Sequence, residues 1–570
     1  MGNILEQLDT QLASLLYDWS FTTTILALVI AAFVAYPILY PSDPDTHPLL
    51  LARQSAIGSV RNKNESAIYR SPEVPIDTPL RSGLGVKDAS APRWAAGKDG
   101  DLRDVWREVM KGGKDGVPKG SIMTVMGKEE VVEHDVEQLT KEIVVMGKHL
   151  KEAGITKVAI YLPNCVEYLL AVFACSFYGL TPVLLPYNLP HPNIYELLQS
   201  TSADGLICAA GNVPLDDVVK QCQNLRLITW VVEKTSRHMD WNGVPSFAEN
   251  RLNVSVWHDV IEEKGSTTEP QLPSNSDLPT PADLTIVWQD LTDLSAPPDI
   301  TTFTHANLVS GTAALISALP SRQRLNPADL VLPASSFSIP YVLCQTLATL
   351  FTHASLAITS VAEPGVDLTL ATRGVNPTVV IASAETLAKL HAKEDETAKG
   401  VLHNIAKYTS SQTLASGRMP DGNSLIFRLL APSKTASQPG KLRLILTSER
   451  IGGGSPPLSS AILSDLRIFT RARICYALTA SKVAGAVAQT HVFDYRTRRS
   501  NGGPMQGHFG LPLSSVEIKL LGKNDAEVGG TTPEGEIVVK GPAVAGSGKE
   551  NEVRLGVRGR FGEEGVLELV

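Results

Sequence analysis

Short apolar runs alternate with amphipathic stretches through most of the chain after residue 130. Apolar side chains recur at helical spacing over residues 136–150, a mostly apolar run covers 157–162, and a second helical pattern covers 163–179. Strand-like runs then recur, for example at 183–185 and 206–208. Strands that alternate with helices predict parallel sheets with helices packed on their faces. The predicted fold class is therefore α/β.

The stretch 284–319 shows this pattern most clearly. Residues 284–287 are mostly apolar, a loop rich in Asp, Ser, Thr and Pro follows, and residues 300–303 form a second strand-like run. The next four residues include His305 and Asn307, and they open a segment with apolar side chains at helical spacing. We expect strand, loop, strand and helix, with His305 and Asn307 as helix-start residues and not as catalytic groups.

The first forty residues have a different pattern. Residues 21–40 contain no charged side chain, and about twenty helical residues span the roughly 30 Å core of a bilayer. We predict a transmembrane anchor there; the alternative is a cleaved signal peptide, although no Lys or Arg precedes the run. Basic residues follow it, which places residues 1–20 in the lumen and the large domain in the cytosol. The predicted location is the endoplasmic reticulum membrane. Residues 41–120, rich in Pro, Gly and charge, are predicted to be a tether that folds against the large domain.

Composition and charge exclude several classes of function. The chain is 43% hydrophobic and 19% charged, as globular proteins are. A net charge of −8 without a long basic block argues against a nucleic-acid partner. The six cysteines are scattered and no metal-binding spacing occurs, so we predict reduced cysteines and no structural metal.

Six motifs follow one another along the chain, namely Leu162-Pro163-Asn164, a loop before Thr304-His305, Gly452-Gly453-Gly454-Ser455-Pro456, Tyr476-Ala477-Leu478-Thr479-Ala480, Gly510-Leu511-Pro512, and Gly535-Glu536-Ile537. Together and in this order they resemble the motifs of the adenylate-forming (AMP-binding) enzymes, and the long-chain acyl-CoA synthetases are the nearest subgroup. The resemblance implies two packed α/β subdomains over residues 121–505 and a small β-barrel-like subdomain over 506–570. It also implies a C-terminal lid domain, which we expect to be absent because the chain ends at Val570.

The loop that grips phosphate in this family is replaced here. The family pattern is Thr-Ser-Gly-Thr-Thr-Gly-x-Pro-Lys-Gly, in which glycines admit backbone N–H groups to phosphate and lysine adds positive charge. The corresponding positions include Thr292, Ser295, Pro298 and Asp299. Pro298 falls on the family proline, but Asp299 stands in place of the lysine, and an acid repels a triphosphate.

The other positions of the family's nucleotide pocket are also altered. The resemblance assigns Gly453 and Gly454 to the glycine turn, and Tyr476, Ala477, Thr479 and Ala480 to the Tyr-Gly-x-Thr-Glu motif. Ala480 replaces the glutamate that helps to bind Mg²⁺, and an alanine offers no oxygen ligand. Val557 replaces the aspartate that binds the ribose, and no residue matches the catalytic lysine. We therefore expect no catalytic residue, no metal ligand and no cofactor.

Two functional hypotheses follow from the resemblance. In the first, the chain is a membrane-anchored, catalytically degenerate acyl-CoA synthetase-like protein of lipid metabolism that binds a fatty acid, an acyl-CoA or a protein partner. In the second, it is an active long-chain fatty-acid–CoA ligase that uses ATP and Mg²⁺ to form an acyl-adenylate. Glu449 and Arg450, which follow a buried-type strand, are interpreted as a solvated pair without a functional role.

Overall fold

The computed structural model describes residues 20–39, 43–87, 92, 94–114, 116–125, 130–232, 251–266, 269–275, 277–278, 280–290, 293–397, 401–420, 441–453, 455–497, 499–500, 503–504, 506–546 and 552–570. The chain divides into two compact units, Met1–His47 and Pro48–Val570.

The first unit contains helix α1, Phe21–Leu39. Its apolar side chains are largely exposed, among them Phe21, Leu26 and Leu28. Within the part of the chain that the structure describes, no helix combines the length and the apolar character needed to cross a membrane. The predicted transmembrane anchor at residues 21–40 is therefore not supported, although a helix is present at this position.

The second unit contains fourteen further helices among its described residues. In chain order they are α2 Pro48–Ala52, α3 Leu102–Lys111, α4 Val136–Glu152, α5 Val166–Tyr178, α6 His191–Thr201, α7 Leu215–Gln221, α8 Trp257–Gly265, α9 His305–Ala318, α10 Pro340–Phe351, α11 Leu368–Ala371, α12 Ala384–Thr397, α13 Val401–Ala415, α14 Ser460–Thr470 and α15 Asp525–Val528.

All the strands that the structure describes lie in the second unit. In chain order they are β1 Ala56–Val60, β2 Ala67–Arg70, β3 Ile122–Val125, β4 Val131–His134, β5 Lys157–Tyr161, β6 Thr181–Leu184, β7 Gly205–Ala209, β8 Leu227–Val231, β9 Asn253–Val256, β10 Leu284–Trp288, β11 Asp299–Phe303, β12 Leu330–Pro333, β13 Ser355–Thr359, β14 Val379–Ser383, β15 Leu444–Arg450, β16 Arg473–Thr479, β17 Ala488–Gln489, β18 Arg499–Ser500, β19 Gly503–Pro504, β20 Leu511–Pro512, β21 Glu517–Leu521, β22 Glu534–Lys540, β23 Glu552–Phe561 and β24 Leu567–Leu569.

One sheet has seven strands in the order β11-β10-β6-β5-β7-β8-β9. All neighbours are parallel except β10 and β11, which pair antiparallel so that Leu284 faces Phe303 and Trp288 faces Asp299. Helix α9 follows directly, and Thr304 and Asn307 cap it reciprocally through side-chain to backbone hydrogen bonds. The prediction of strand, loop, strand and helix over 284–319 is confirmed.

A second sheet has nine strands in the order β20-β17-β16-β15-β14-β12-β13-β3-β4. Its interior strands run parallel, and β4, β17 and β20 are antiparallel to their neighbours. The parallel strands β5, β7, β12 and β14 are mostly apolar and buried, as strands in the interior of a parallel sheet are. The predicted α/β class is confirmed.

A third sheet has six antiparallel strands in the order β1-β2-β21-β22-β23-β24. Its first two strands come from residues 41–120, where the sequence pattern predicted no strand. Tyr69 of β2 pairs with Ile518 of β21, and the Tyr69 ring stacks on Phe561 with centroids 3.6 Å apart. A buried ion pair between Arg70 and Glu517, 2.6 Å apart, also joins β2 to β21. The segment before residue 120 is therefore part of the folded body from β1 onward.

Gly311 allows helix α9 to lie close to the segment that follows β16. A Cβ added to Gly311 would lie 2.5 Å from the carbonyl oxygen of Ala484, so only glycine permits this approach. The Asn307 side chain donates to the carbonyl oxygens of Pro542, at 2.7 Å, and Val544. These contacts place α9 beside the segment after β16 and beside the segment after β22.

Candidate functional site

The carboxyl ends of β10 and β15 lie beside a cavity of about 440 Å³. Ligands of α/β proteins bind outside the carboxyl ends of the strands, so this is the expected position of a site. Residues from both parallel sheets line it, among them Tyr187, Trp288, Ser336, Glu363, Glu385 and Arg450.

Two asparagines join the loops around this cavity. Asn164, from the loop after β5, donates to the carbonyl oxygen of Ser335 and accepts from the backbone N–H of Phe337, both at 2.9 Å. Asn188 donates to the carboxylate of Glu363. Because each bond links the seven-stranded sheet to the nine-stranded sheet, the loops that form the cavity are fixed relative to each other.

Arg450 is the cationic side chain of the cavity. Its guanidinium carbon lies 4.0 Å from the centre of the Trp288 ring, and its Nη2 donates to the carbonyl oxygen of Gln289. Among the described residues its Nε has no hydrogen-bond partner. Burial lowers the pKa of Arg450 to about 10, which leaves it cationic at neutral pH. The interpretation of Arg450 as part of a solvated pair is wrong.

Glu449 is also buried, with 4% of its surface exposed, so the interpretation as a solvated side chain is wrong here too. The Tyr476 hydroxyl donates to its carboxylate at 2.7 Å, and the Thr479 hydroxyl donates to its carbonyl oxygen at 2.8 Å. Burial raises the pKa of Glu449 to about 7, and the charge of Glu385 acts in the same direction. Glu449 therefore keeps its proton to a higher pH than an exposed glutamate does.

The positions that resemble the Tyr-Gly-x-Thr-Glu motif are all buried. Tyr476 uses its hydroxyl fully, because it donates to Glu449 and accepts from the Leu458 N–H at 3.0 Å. Ala477 and Thr479 belong to β16, and Ala480 follows directly with 4% of its surface exposed. Their side chains therefore support the core and the Glu449 contact.

The positions that resemble the phosphate loop are only partly described. Asp299 opens β11, and its carboxylate accepts a hydrogen bond from the Ser481 hydroxyl, directly after Ala480. Ser295 is exposed and donates to Asp293, Pro298 is half-buried, and Thr292 lies outside the described residues. The loop and the segment after β16 are thus in direct contact through an acidic side chain.

The predicted glycine turn and the predicted ribose position lie in different parts of the structure. The backbone N–H of Gly453 donates to the Arg450 carbonyl oxygen at 2.9 Å, and Gly453 lines the cavity. Gly454 lies outside the described residues. Val557 belongs to β23 of the six-stranded sheet, where its side chain packs against the core and does not line the cavity.

Sequence reasoning missed the residues that give the cavity its charge, namely Arg450, Glu363 and Glu385. One signal was present: Glu449 and Arg450 follow an apolar run after two residues, at the carboxyl end of a parallel strand. No comparable signal marks Glu363 or Glu385, because their position depends on how distant segments pack. In the described part of the chain, no group of three or more His, Cys, Asp or Glu side chains could hold a metal ion.

Comparison with known proteins gives one match at the level of a family. The family model of the AMP-binding enzymes matches residues 125–281 and 301–547, more than half of the chain. An uncharacterized protein of Saccharomyces cerevisiae, YHR045W, is 35% identical over 119 residues, which are 20% of this chain and 20% of that protein. The match thus spans about a fifth of the length of this curated relative.

Solved structures of adenylate-forming enzymes share the fold. The N-terminal domain of FACL13 from Mycobacterium tuberculosis matches with a TM-score of 0.55 and 12% identity, over 83% of this chain and 100% of that one. A fatty acyl CoA synthetase of the same organism matches with a TM-score of 0.54 and 13% identity, over 82% and 78%. A luciferase-like enzyme from the mealworm Zophobas morio matches with a TM-score of 0.56 and 12% identity, over 86% and 98%.

These structural likenesses, all at low identity, support the fold, and the family model covers most of the strands of both parallel sheets. The order of the motifs in the sequence agrees with both findings. The chain belongs to the AMP-binding enzyme family.

Proposed function

We propose that this chain is a catalytically degenerate member of its family, which binds a carboxylic acid or acyl ligand in the cavity between the sheets without adenylating it. The observation that carries the proposal is the hydrogen bond between Asp299 and Ser481. With this hydrogen bond, a carboxylate lies between the phosphate-loop position and the segment after β16. A triphosphate brought to this place would be repelled by the carboxylate and would have to break the contact.

Two further substitutions support the same conclusion. Ala480 provides no oxygen for Mg²⁺, and the hard cation that accompanies ATP binds through oxygen ligands. Val557 provides no acceptor for ribose hydroxyls. Phosphoryl and adenylyl transfer depend on cations and metals that neutralise developing charge, and one such group commonly contributes a factor of about 10² or more to the rate. The residues at these positions therefore do not fit Mg-ATP.

The cavity does not depend on those positions. Its walls include Trp288, Val287 and Ile339, which can pack against an apolar group, and Arg450, which can hold an anion. Binding by these residues requires no nucleotide and no metal. A binding role for an acyl ligand or for a protein partner is therefore compatible with the loss of adenylation.

The first test of this proposal is the binding of Mg-ATP by the full-length protein. Isothermal titration calorimetry should detect no binding, and Mg-ATP at millimolar concentration should not raise the melting temperature. A ligand present at about 100 times its Kd would stabilise the protein by about 2.7 kcal/mol, which is an easily measured shift.

The matched variant combines Asp299→Lys, Ala480→Glu and Val557→Asp. It restores the cation, the metal ligand and the ribose acceptor, so we expect it to bind Mg-ATP more tightly than the unmodified chain. Mg-ATP binding by the unmodified chain would contradict the proposal and favour the active fatty-acid–CoA ligase.

The cellular location remains a prediction from the sequence. It places the protein at the endoplasmic reticulum with the large domain in the cytosol. Protease treatment of intact microsomes tests this location, since a cytosolic domain should be digested without detergent. Protection of the domain in intact vesicles would contradict the prediction.

A further inference from the structure

The cavity carries charges of both signs, and this combination limits the chemistry of its ligand. Arg450 contributes a cation, and Glu363 and Glu385 contribute two carboxylates. Tyr187, Trp288 and Ile339 contribute apolar surface beside them. We propose that the cavity binds a zwitterion, namely a small amino acid with an apolar or aromatic side chain, with its carboxylate on Arg450 and its ammonium group on Glu385 and Glu363. This inference rests on the proposed function, because it takes the cavity as the ligand site.

Arg450 has the donors for a carboxylate. Stacking on Trp288 and one hydrogen bond to Gln289 fix its orientation, and its Nε has no acceptor among the described residues. A guanidinium has five N–H donors, and a carboxylate accepts charge-assisted hydrogen bonds from them. A carboxylate of the ligand can therefore bind the donors of Arg450 that Gln289 does not use, in addition to the charges of Asp290 and Glu385, which already act on this guanidinium.

Glu385 and Glu363 have the acceptors for an ammonium group. One oxygen of Glu385 accepts a hydrogen bond from the Ser455 hydroxyl at 3.3 Å, and one oxygen of Glu363 accepts from Asn188. A carboxylate has about four acceptor positions, so both retain capacity. Glu385 and Arg450 line the same cavity, and the charge of Glu385, like that of Asp290, acts on the guanidinium.

A ligand with a single charge fits less well. A plain carboxylate gains the contact with Arg450 but brings a third negative charge to Glu363 and Glu385. A plain amine can bind Glu363 and Glu385 but brings no carboxylate to Arg450. A zwitterion matches both, and a volume of about 440 Å³ lies in the range of roughly 300–1,000 Å³ that small-molecule pockets occupy.

The test compares three ligands that differ only in their charged groups, using calorimetry on the full-length protein without nucleotide. Phenylalanine carries both charges, hydrocinnamate only the carboxylate, and phenethylamine only the ammonium group. We expect phenylalanine to bind at least about tenfold more tightly than either analogue, because each lost charge-assisted hydrogen bond costs at least that factor.

Three variants test which side chain binds which charged group of the ligand. Glu385→Gln and, separately, Glu363→Gln should weaken phenylalanine and leave hydrocinnamate unchanged or tighter. Arg450→Gln should weaken phenylalanine and hydrocinnamate together. Glu262→Gln, an exposed position away from the cavity, should change nothing. Unchanged melting temperatures show that each variant is folded, and the two glutamate variants provide independent readings if one of them fails to fold.

Equal or tighter binding of hydrocinnamate or phenethylamine would overturn this inference, and so would the absence of phenylalanine binding at millimolar concentration. Neither result would contradict the proposed loss of adenylation, because the Mg-ATP titration tests that loss separately. Conversely, Mg-ATP binding together with a preference for phenylalanine would contradict the proposed function and leave the charge assignment intact.

Discussion

At the scale of single residues, sequence and structure differ most where burial decides the chemistry. Asp299 and Ala480 could be identified from the sequence because a motif fixes their position. Arg450 and Glu449 could not, because their burial depends on Trp288 and Tyr476, which other strands bring to them. A charged pair after a strand has the same local sequence whether it faces solvent or a cavity.

Glu449 supplies a prediction at this scale, since its pKa of about 7 in the folded chain exceeds the ordinary value of 4.5. Folding therefore favours the protonated form, so this contribution to stability is complete below about pH 4.5 and is lost as the pH rises through about 7. Glu449→Gln keeps an acceptor for Tyr476 and removes the titration. As the pH rises from about 4.5 to about 7, the free energy of unfolding of Glu449→Gln should increase relative to that of the unmodified chain, by up to about 3 kcal/mol.

Denaturant titrations at several pH values measure this difference. Glu262→Gln serves as the control, because an exposed glutamate should give a constant offset. A parallel pH dependence of Glu449→Gln and the unmodified chain would show that Glu449 is not titrating with a raised pKa.

At the scale of helices and strands, the sequence predicted elements well where the signal was local. The apolar run of β10, the reciprocal cap of Thr304 and Asn307, and the helix α9 all follow from neighbouring residues. Strands β1 and β2 were missed because each is short and lacks a periodic pattern, and their partner strand β21 lies more than 400 residues further along the chain. Pairing of this kind is determined by tertiary packing and not by local preference.

The packing of α9 supplies a prediction at this scale. In an ordinary helix Gly→Ala stabilises by roughly 1 kcal/mol. Gly311→Ala should instead destabilise by about 1–3 kcal/mol, because the added methyl would lie 2.5 Å from the carbonyl oxygen of Ala484. Thermal unfolding monitored by circular dichroism measures the effect.

Gly265→Ala in α8 is the matched control. Its added Cβ would meet only the Lys141 side chain, at 3.6 Å, so no loss of stability is expected. Equal or higher stability of Gly311→Ala would mean that α9 does not approach Ala484 as closely as the structure places it.

At the scale of the whole molecule, the chain from Pro48 onward behaves as one unit in which the first two strands complete the six-stranded sheet. A deletion of residues 1–47 should therefore leave cooperative unfolding of the body intact. A deletion of residues 1–70 should lower the melting temperature strongly, since it removes Tyr69 from Phe561 and leaves Glu517 without Arg70. Scanning calorimetry of both deletions distinguishes them, and an unchanged melting temperature of the longer deletion would contradict this role of β1 and β2.

The central claim is that a member of the AMP-binding enzyme family has retained the cavity and lost adenylation. The most direct measurement is the exchange of labelled pyrophosphate into ATP by the purified full-length protein in the presence of a carboxylic acid. The carboxylic acids to be tested are fatty acids of several lengths and phenylalanine. The account predicts no exchange above the rate without protein for any of these acids, because Asp299, Ala480 and Val557 provide neither the charge nor the ligands that the reaction requires. Exchange that depends on both the protein and an added acid would contradict it.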